Sequence, residues 1–113
     1  MKIHFKDYKS IVDSLHEGII IFDEDYNIKF SNTFFSNLVG YSKDNINSEK
    51  ITTFIDKNNL DLFKNHISKN FDKSFDLTLY TKDKKQKYTR LSFNEYLQDD
   101  DNCTLAIVED ITL

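Results

Sequence analysis

Between His4 and His16 the side chains of Phe5, Tyr8, Ile11, Val12 and Leu15 recur at helical spacing, with Asp7, Lys9 and Asp13 mostly on the other side. This predicts an amphipathic helix outside the main sheet. After Gly18 the pattern changes. Ile19 to Phe22 are β-branched or aromatic and suit a pleated, half-buried surface. Asp23 to Asn27 is a polar turn cluster whose side chains can bond to nearby backbone. Ile28 and Phe30 then fall on one face and Lys29 and Ser31 on the other, which predicts a second strand. Asn32 is a good N-cap for a short helix with Phe34, Phe35 and Leu38 on one side, and Gly40 can close it in the left-handed conformation.

Ser42 is placed to cap a short turn ending near Ile46, and Ile51, Phe54 and Ile55 make a single helical turn. A longer helix is predicted from Asn58 to Asn70, with Leu60, Phe63 and Ile67 on one face. The period then becomes two. Phe75, Leu77 and Leu79 alternate with Ser74, Asp76, Thr78 and Tyr80. After a charged turn, Thr89, Leu91, Phe93 and Leu97 alternate with Tyr88, Arg90, Ser92, Asn94 and Tyr96. The last strand, Cys103 to Ile111, holds the apolar run Leu105 to Val108, which suits a central position. Strands that follow one another can meander as neighbours and the first hairpin can join them. The expected fold is α+β: one five-stranded antiparallel sheet, short helices on one face, and a flanking N-terminal amphipathic helix.

The order of these segments carries a resemblance. GIIIFD, NIKFSN and FFSNLVGY between Gly18 and Tyr41 resemble the front half of a PAS domain. Ser42 to Ile46 is similar to the segment that follows the Gly-Tyr pair, and Asp110-Ile111-Thr112 is similar to the signature at which PAS domains hand over to an output helix. The resemblance spans nearly the whole chain, with residues 1–16 as the flanking helix and 17–113 as the PAS domain. It departs at Asp83-Lys84, where many members have Asp-Gly. Without glycine a primed two-residue turn is disfavoured, and a longer loop is expected.

Composition narrows the possibilities further. A chain of 113 residues fits one domain, and ten Phe with six Tyr and no Trp mean a core of benzyl rings. A net charge of −4 argues against nucleic acid, whose binding rests on a basic patch. No apolar run is long enough to cross a bilayer, and the charged first ten residues lack a signal-peptide core. The single Cys103 cannot form an internal disulfide, so a reducing, cytoplasmic setting is expected.

Catalytic chemistry finds little support. His4, His16 and His66 are scattered, with no strained nucleophile turn and no glycine-rich phosphate loop. Asp23, Asp25 and Asn27 have the spacing that opens a calcium loop, but Ile28 and Phe34 stand where it needs Gly and a bidentate Glu. The acidic run Asp99 to Asp101 reads as solvated loop, and a non-enzymatic, metal-free module is expected. By resemblance, haem-binding members take their iron ligand from the helix matched by residues 58–70, which makes His66 the haem-ligand candidate. Photoreactive flavin members use a Cys in the preceding short helix; residues 51–57 have none. No residue specifies a cofactor, and haem and flavin are both disfavoured.

What remains is a pocket between sheet and helices, or side chains filling that space. By alternation Ile19, Ile21, Ile28, Phe30, Phe35, Leu38, Phe54, Phe63, Ile67 and Leu77 are the interior candidates. Of these Ile21, Phe30, Phe35, Leu38, Phe54, Phe63, Ile67 and Leu77 are the ligand-binding set for a small apolar molecule. The resemblance implies a sensory and dimerisation module of a histidine kinase or cyclic-dinucleotide protein. It would pair with a second copy through the N-terminal helix. It would relay its signal through the last strand, by Asp110 and Thr112, to a C-terminal effector, with Asp110 tying that junction to the N-terminal helix. The alternatives are a ligand-free protein-interaction scaffold and, more remotely, a haem sensor.

Overall fold

The central element is the last strand. In the computed structural model β1 (Gly18–Phe22), β2 (Ile28–Ser31), β3 (Phe75–Tyr80), β4 (Gln86–Gln98) and β5 (Asp101–Asp110) form one sheet in the order β2-β1-β5-β4-β3. Every pairing is antiparallel. The structure describes residues 15–69, 71–98 and 101–112. The predicted N-terminal helix lies outside them, except for Leu15 and His16, which are not helical. Between β2 and β3 come α1 (Thr33–Val39), α2 (Lys43–Ile46), a 3-10 turn (Ile51–Phe54) and α3 (Lys57–Lys69).

Register decides which residues meet the helices, because directly paired residues share a face. Gly18, Ile20 and Phe22 of β1 lie opposite Val108, Ala106 and Thr104 of β5. Leu91 and Phe93 of β4 extend the same face. The helices supply Phe35, Leu38, Val39, Ile46, Ile51, Phe54 and Phe63 to the core that this face builds. At Gly18 α1 and β5 press close: a Cβ there would stand 3.1 Å from the Val108 Cβ and 3.2 Å from the Phe35 ring. A side chain at that position would require Val108 or Phe35 to give way by a few tenths of an ångström.

One sequence expectation is corrected here. Ile19, Ile21 and Phe30 do not face the helices. Ile21 pairs with Phe30 and Ile19 with Ile107, while Phe22 pairs with Ile28, and a bulge between Ile21 and Phe22 separates the two phases. Lys29 is the extra residue, so Ile28 and Phe30 leave the sheet on opposite sides. A strand apolar on both faces, as β1 is, gives alternation nothing with which to set its phase.

Both hairpins at the outer edges of the sheet use three-residue loops. In the first, Tyr26 N donates to Asp23 O (2.9 Å) and Asp23 N to Asn27 O (3.0 Å), with Tyr26 at φ 69°. In the second, Lys84 N donates to Thr81 O (2.9 Å) and Thr81 N to Lys85 O (2.9 Å), with Lys84 at φ 64°. This is the longer loop expected where Asp83 is not followed by glycine. Each loop ends in a left-handed residue, a position at which glycine is usual. Tyr26 repays its strain with packing. Its ring lies 6.1 Å from Phe22 and 6.0 Å from Phe63, beneath the Lys64 ammonium at 5.3 Å.

Asn32 joins the first hairpin to α1. It is fully buried. Its Oδ1 accepts from Ile19 N (2.9 Å) and Phe35 N (3.1 Å), and its Nδ2 donates to Glu17 O (2.9 Å). One side chain therefore caps the helix and fixes the entry to β1. Gly40 closes the same helix at φ 76°, its N–H donating to Ser36 O.

Candidate functional site

The space that would hold a ligand is occupied by aromatic rings. Phe22, Phe35, Phe54 and Phe63 are all at most 1% exposed. Phe63 lies 6.2 Å from Phe22 and 6.1 Å from Phe93, while Phe54 takes Phe35 at 5.7 Å and Tyr41 at 5.1 Å, both edge-on. Of the eight ligand-binding candidates, Phe35, Leu38, Phe54, Phe63 and Leu77 come together in this core. Ile67 packs at its rim, and Ile21 and Phe30 are on the far face of the sheet.

His66 is half-buried between α3 and β3. Its ring stacks on Phe75 at 4.4 Å, and its Nε2 lies 2.7 Å from the Lys73 carbonyl oxygen. A carbonyl only accepts, so Nε2 carries the proton and donates it. Iron ligation through that nitrogen would have to break this bond. Among the described residues no three His, Cys, Asp or Glu side chains gather into a metal-binding group. Nor is any described helix long and apolar enough to cross a membrane.

The C-terminal junction is built from Asp110, Thr112 and a residue the sequence did not mark, Tyr88. Thr112 N donates to Asp110 Oδ1 (3.0 Å) and Tyr88 N donates to Thr112 Oγ1 (2.9 Å). Ile111 N donates to Tyr88 O (2.8 Å). Asp110 thus shapes the exit of β5, and Thr112 fastens that exit to β4. The proposed tie from Asp110 to the N-terminal helix involves residues outside the described ones. Nothing in the sequence pattern singled out Tyr88, because its part is played by its backbone.

Charged groups sit at the margins of the sheet. Asp23 holds the first loop: burial pushes its pKa up, but the Asn27 N–H and side-chain amide, the Asp25 N–H and Lys29 outweigh that and leave it below the usual aspartate value. On the outer face Arg90 donates Nε–H to Asp76 Oδ1 at 2.8 Å, which holds the Asp76 carboxyl low. A cleft of about 670 Å³ opens at one end of the inner face, bordered by Glu24, Ile67, Phe71, Glu95, Leu97 and Thr104. A smaller one, about 430 Å³, lies between Lys57 at the start of α3, Tyr80 and Lys84.

A sheet of this order, with the first hairpin beside the last strand and short helices on one face, defines a PAS-type module. The family model described as PAS domain matches residues 16–113, and the chain belongs to that family. Among solved structures it is similar to a PAS domain from a two-component sensor histidine kinase, with a TM-score of 0.83 and 11% identity, over 94% of this chain and 95% of that one. A PAS domain from Colwellia psychrerythraea gives a TM-score of 0.83 and 16% identity, over 95% and 96%. The PAS domain of nitrogen regulation protein NR(II) from Vibrio parahaemolyticus gives 0.73 and 16%, over 92% and 97%. At these identities the likeness is one of fold. No curated protein matches the chain.

Proposed function

We propose that this chain is a non-enzymatic sensory and dimerisation module of a signalling protein, of the histidine kinase or cyclic-dinucleotide type. It pairs with a second copy through the N-terminal helix, works in the cytoplasm, and passes its signal to a C-terminal effector. The observation that carries this reading is the path of β5. The strand runs from Thr104 at the large cleft, through Ala106 and Val108 in the core, to Asp110 and the Thr112–Tyr88 fastening. A change at the cleft end alters the register or tilt of one central strand, and the junction moves with it. A ligand drives such a change only through unequal affinity for the two states. The test is Thr112→Val in the full-length protein: effector output should change at fixed input, and unchanged output would defeat the relay.

The packed core favours a second reading, a protein-interaction scaffold without an internal ligand. Denaturing extraction followed by mass spectrometry separates the two. A recurring small molecule supports sensing, and its absence from protein purified under several conditions supports the scaffold. An absorbance scan of the same samples tests for retained haem or flavin.

A further inference from the structure

Beyond the core, the inner face of the sheet changes character within two residues. Phe93, Glu95 and Leu97 share one face of β4; Phe93 is buried, Glu95 exposed, and Leu97 68% exposed. Glu95 pairs with Thr104, which in turn pairs with Phe22. A carboxylate therefore follows the last core ring in the same phase. Facing it across a cleft of about 670 Å³ are Ile67 and Phe71 near the end of α3 and Glu24 from the first hairpin loop, while Tyr96, Asn102 and Cys103 of the β4–β5 hairpin line the rest. That volume lies in the range of small-molecule sites, roughly 300–1,000 Å³.

The lining has two parts. Ile67 and Phe71 pack against the core, and the Phe71 ring lies 6.0 Å from Phe93, so the floor is apolar and continuous with the interior. The rim is acidic. Among the described residues no lysine or arginine lines the cleft beside Glu24 and Glu95, and neither makes a salt bridge. Two carboxylates with no ion-pair partner among the described residues, above an aromatic floor, favour positive charge, by Coulomb attraction and by the ring quadrupole.

We propose that this cleft binds a small organic cation, its ammonium group between Glu24 and Glu95 and its apolar body on Ile67, Phe71 and Leu97. The proposal deepens the sensor reading, since Thr104 lies on the strand that leads to the junction, and the relay alone rests on that reading. The probe is 2-phenylethylammonium, compared with 2-phenylethanol and 3-phenylpropionate, each titrated into the chain and followed by backbone amide NMR. The cation should give saturable shifts at the Glu24, Phe71, Glu95 and Thr104 amides, weakening as salt is raised. Glu24→Gln and Glu95→Gln, which leave the core untouched, should each weaken it about two- to fivefold, in line with exposed ion pairs. The anion should give no saturable shift. Equal affinity for cation and alcohol, no saturable shift at these amides, or unchanged binding in the double variant would each overturn the site. Binding that leaves the Tyr88 and Thr112 amides unmoved would uphold the site and defeat the sensor reading.

Discussion

The Asn32 side-chain oxygen accepts the Ile19 N–H at 2.9 Å while it caps α1 at the Phe35 N–H. The start of the first strand and the start of the first helix are thus held by one buried atom. Asn32→Ala leaves both donors unpaired and strands the Glu17 carbonyl that Nδ2 had served. We expect a loss of about 2–4 kcal/mol, the sum of a lost cap and a buried unsatisfied donor. Urea denaturation measures it; a loss under about 0.5 kcal/mol would mean that water replaces the amide there.

Asp23 makes stability depend on acid. Its carboxylate accepts the Asp25 and Asn27 N–H groups, each at 2.9 Å, and sits 3.5 Å from Lys29 Nζ. These outweigh burial and lower its pKa from the model-peptide value of 3.8. A group depressed in the folded state stabilises it fully above the unfolded pKa, and that contribution is lost as pH falls through the folded one. Asp23→Asn keeps an oxygen for the two N–H groups but cannot titrate. The gap in stability between the natural chain and Asp23→Asn should be wide at pH 7 and narrow progressively as pH falls below the unfolded value of 3.8. A gap that does not vary with pH would contradict this account.

The two left-handed loop residues should respond to glycine with opposite signs. Lys84 at φ 64° is exposed, so Lys84→Gly relieves strain and should stabilise by about 0.5–1 kcal/mol. Tyr26 at φ 69° has the same backbone but packs on Phe22 and Phe63. Tyr26→Gly should therefore destabilise, by about 1–2 kcal/mol once the lost ring contacts exceed the relieved strain. Thermal melts of the two variants decide it.

Much of this fold was legible because its signals are local. The turn at Asp23 to Asn27, the cap at Asn32, the stop at Gly40 and the period-two strands after Ser74 all appear where residue chemistry demands them. The central place of β5 followed from an apolar run with no polar phase. Ile21 escaped because β1 is apolar on both faces, and Phe30 because the bulge at Lys29 is a register event between two strands that neither alone encodes. The cleft escaped for a different reason. Glu95 stands in phase with Leu91, Phe93 and Leu97, and that break in an apolar face was present in the sequence. Only the fold shows Glu24 and Phe71 gathered around it.

At the junction, Thr112→Val keeps the shape of the side chain and removes the oxygen that accepts the Tyr88 N–H at 2.9 Å. The site is exposed, so global stability should fall by no more than about 0.5–1.5 kcal/mol. The local effect should be larger. Amide exchange at Tyr88 and Ile111 should quicken while that of Ala106 in the core stays as it was. Equal acceleration at all three would mean that the junction and the core open as one unit.

The packed interior makes the sharpest demand on stability. Phe63 is fully buried and touches rings on three sides, from Phe22, Tyr26 and Phe93. Phe63→Ala removes the ring between α3 and the sheet. The expected loss is about 3–5 kcal/mol, transfer plus cavity, a large part of the stability of a chain this size. A cavity lined by the remaining rings is apolar and should stay dry, so benzene added to the folded variant should raise its melting temperature and leave the natural chain unchanged. If benzene stabilises the natural chain as well, the interior already has room for a ligand and the filled-core account fails. If the variant loses the expected stability but gains nothing from benzene, the helices have collapsed onto the gap, and the roof over the sheet is more mobile than its packing implies.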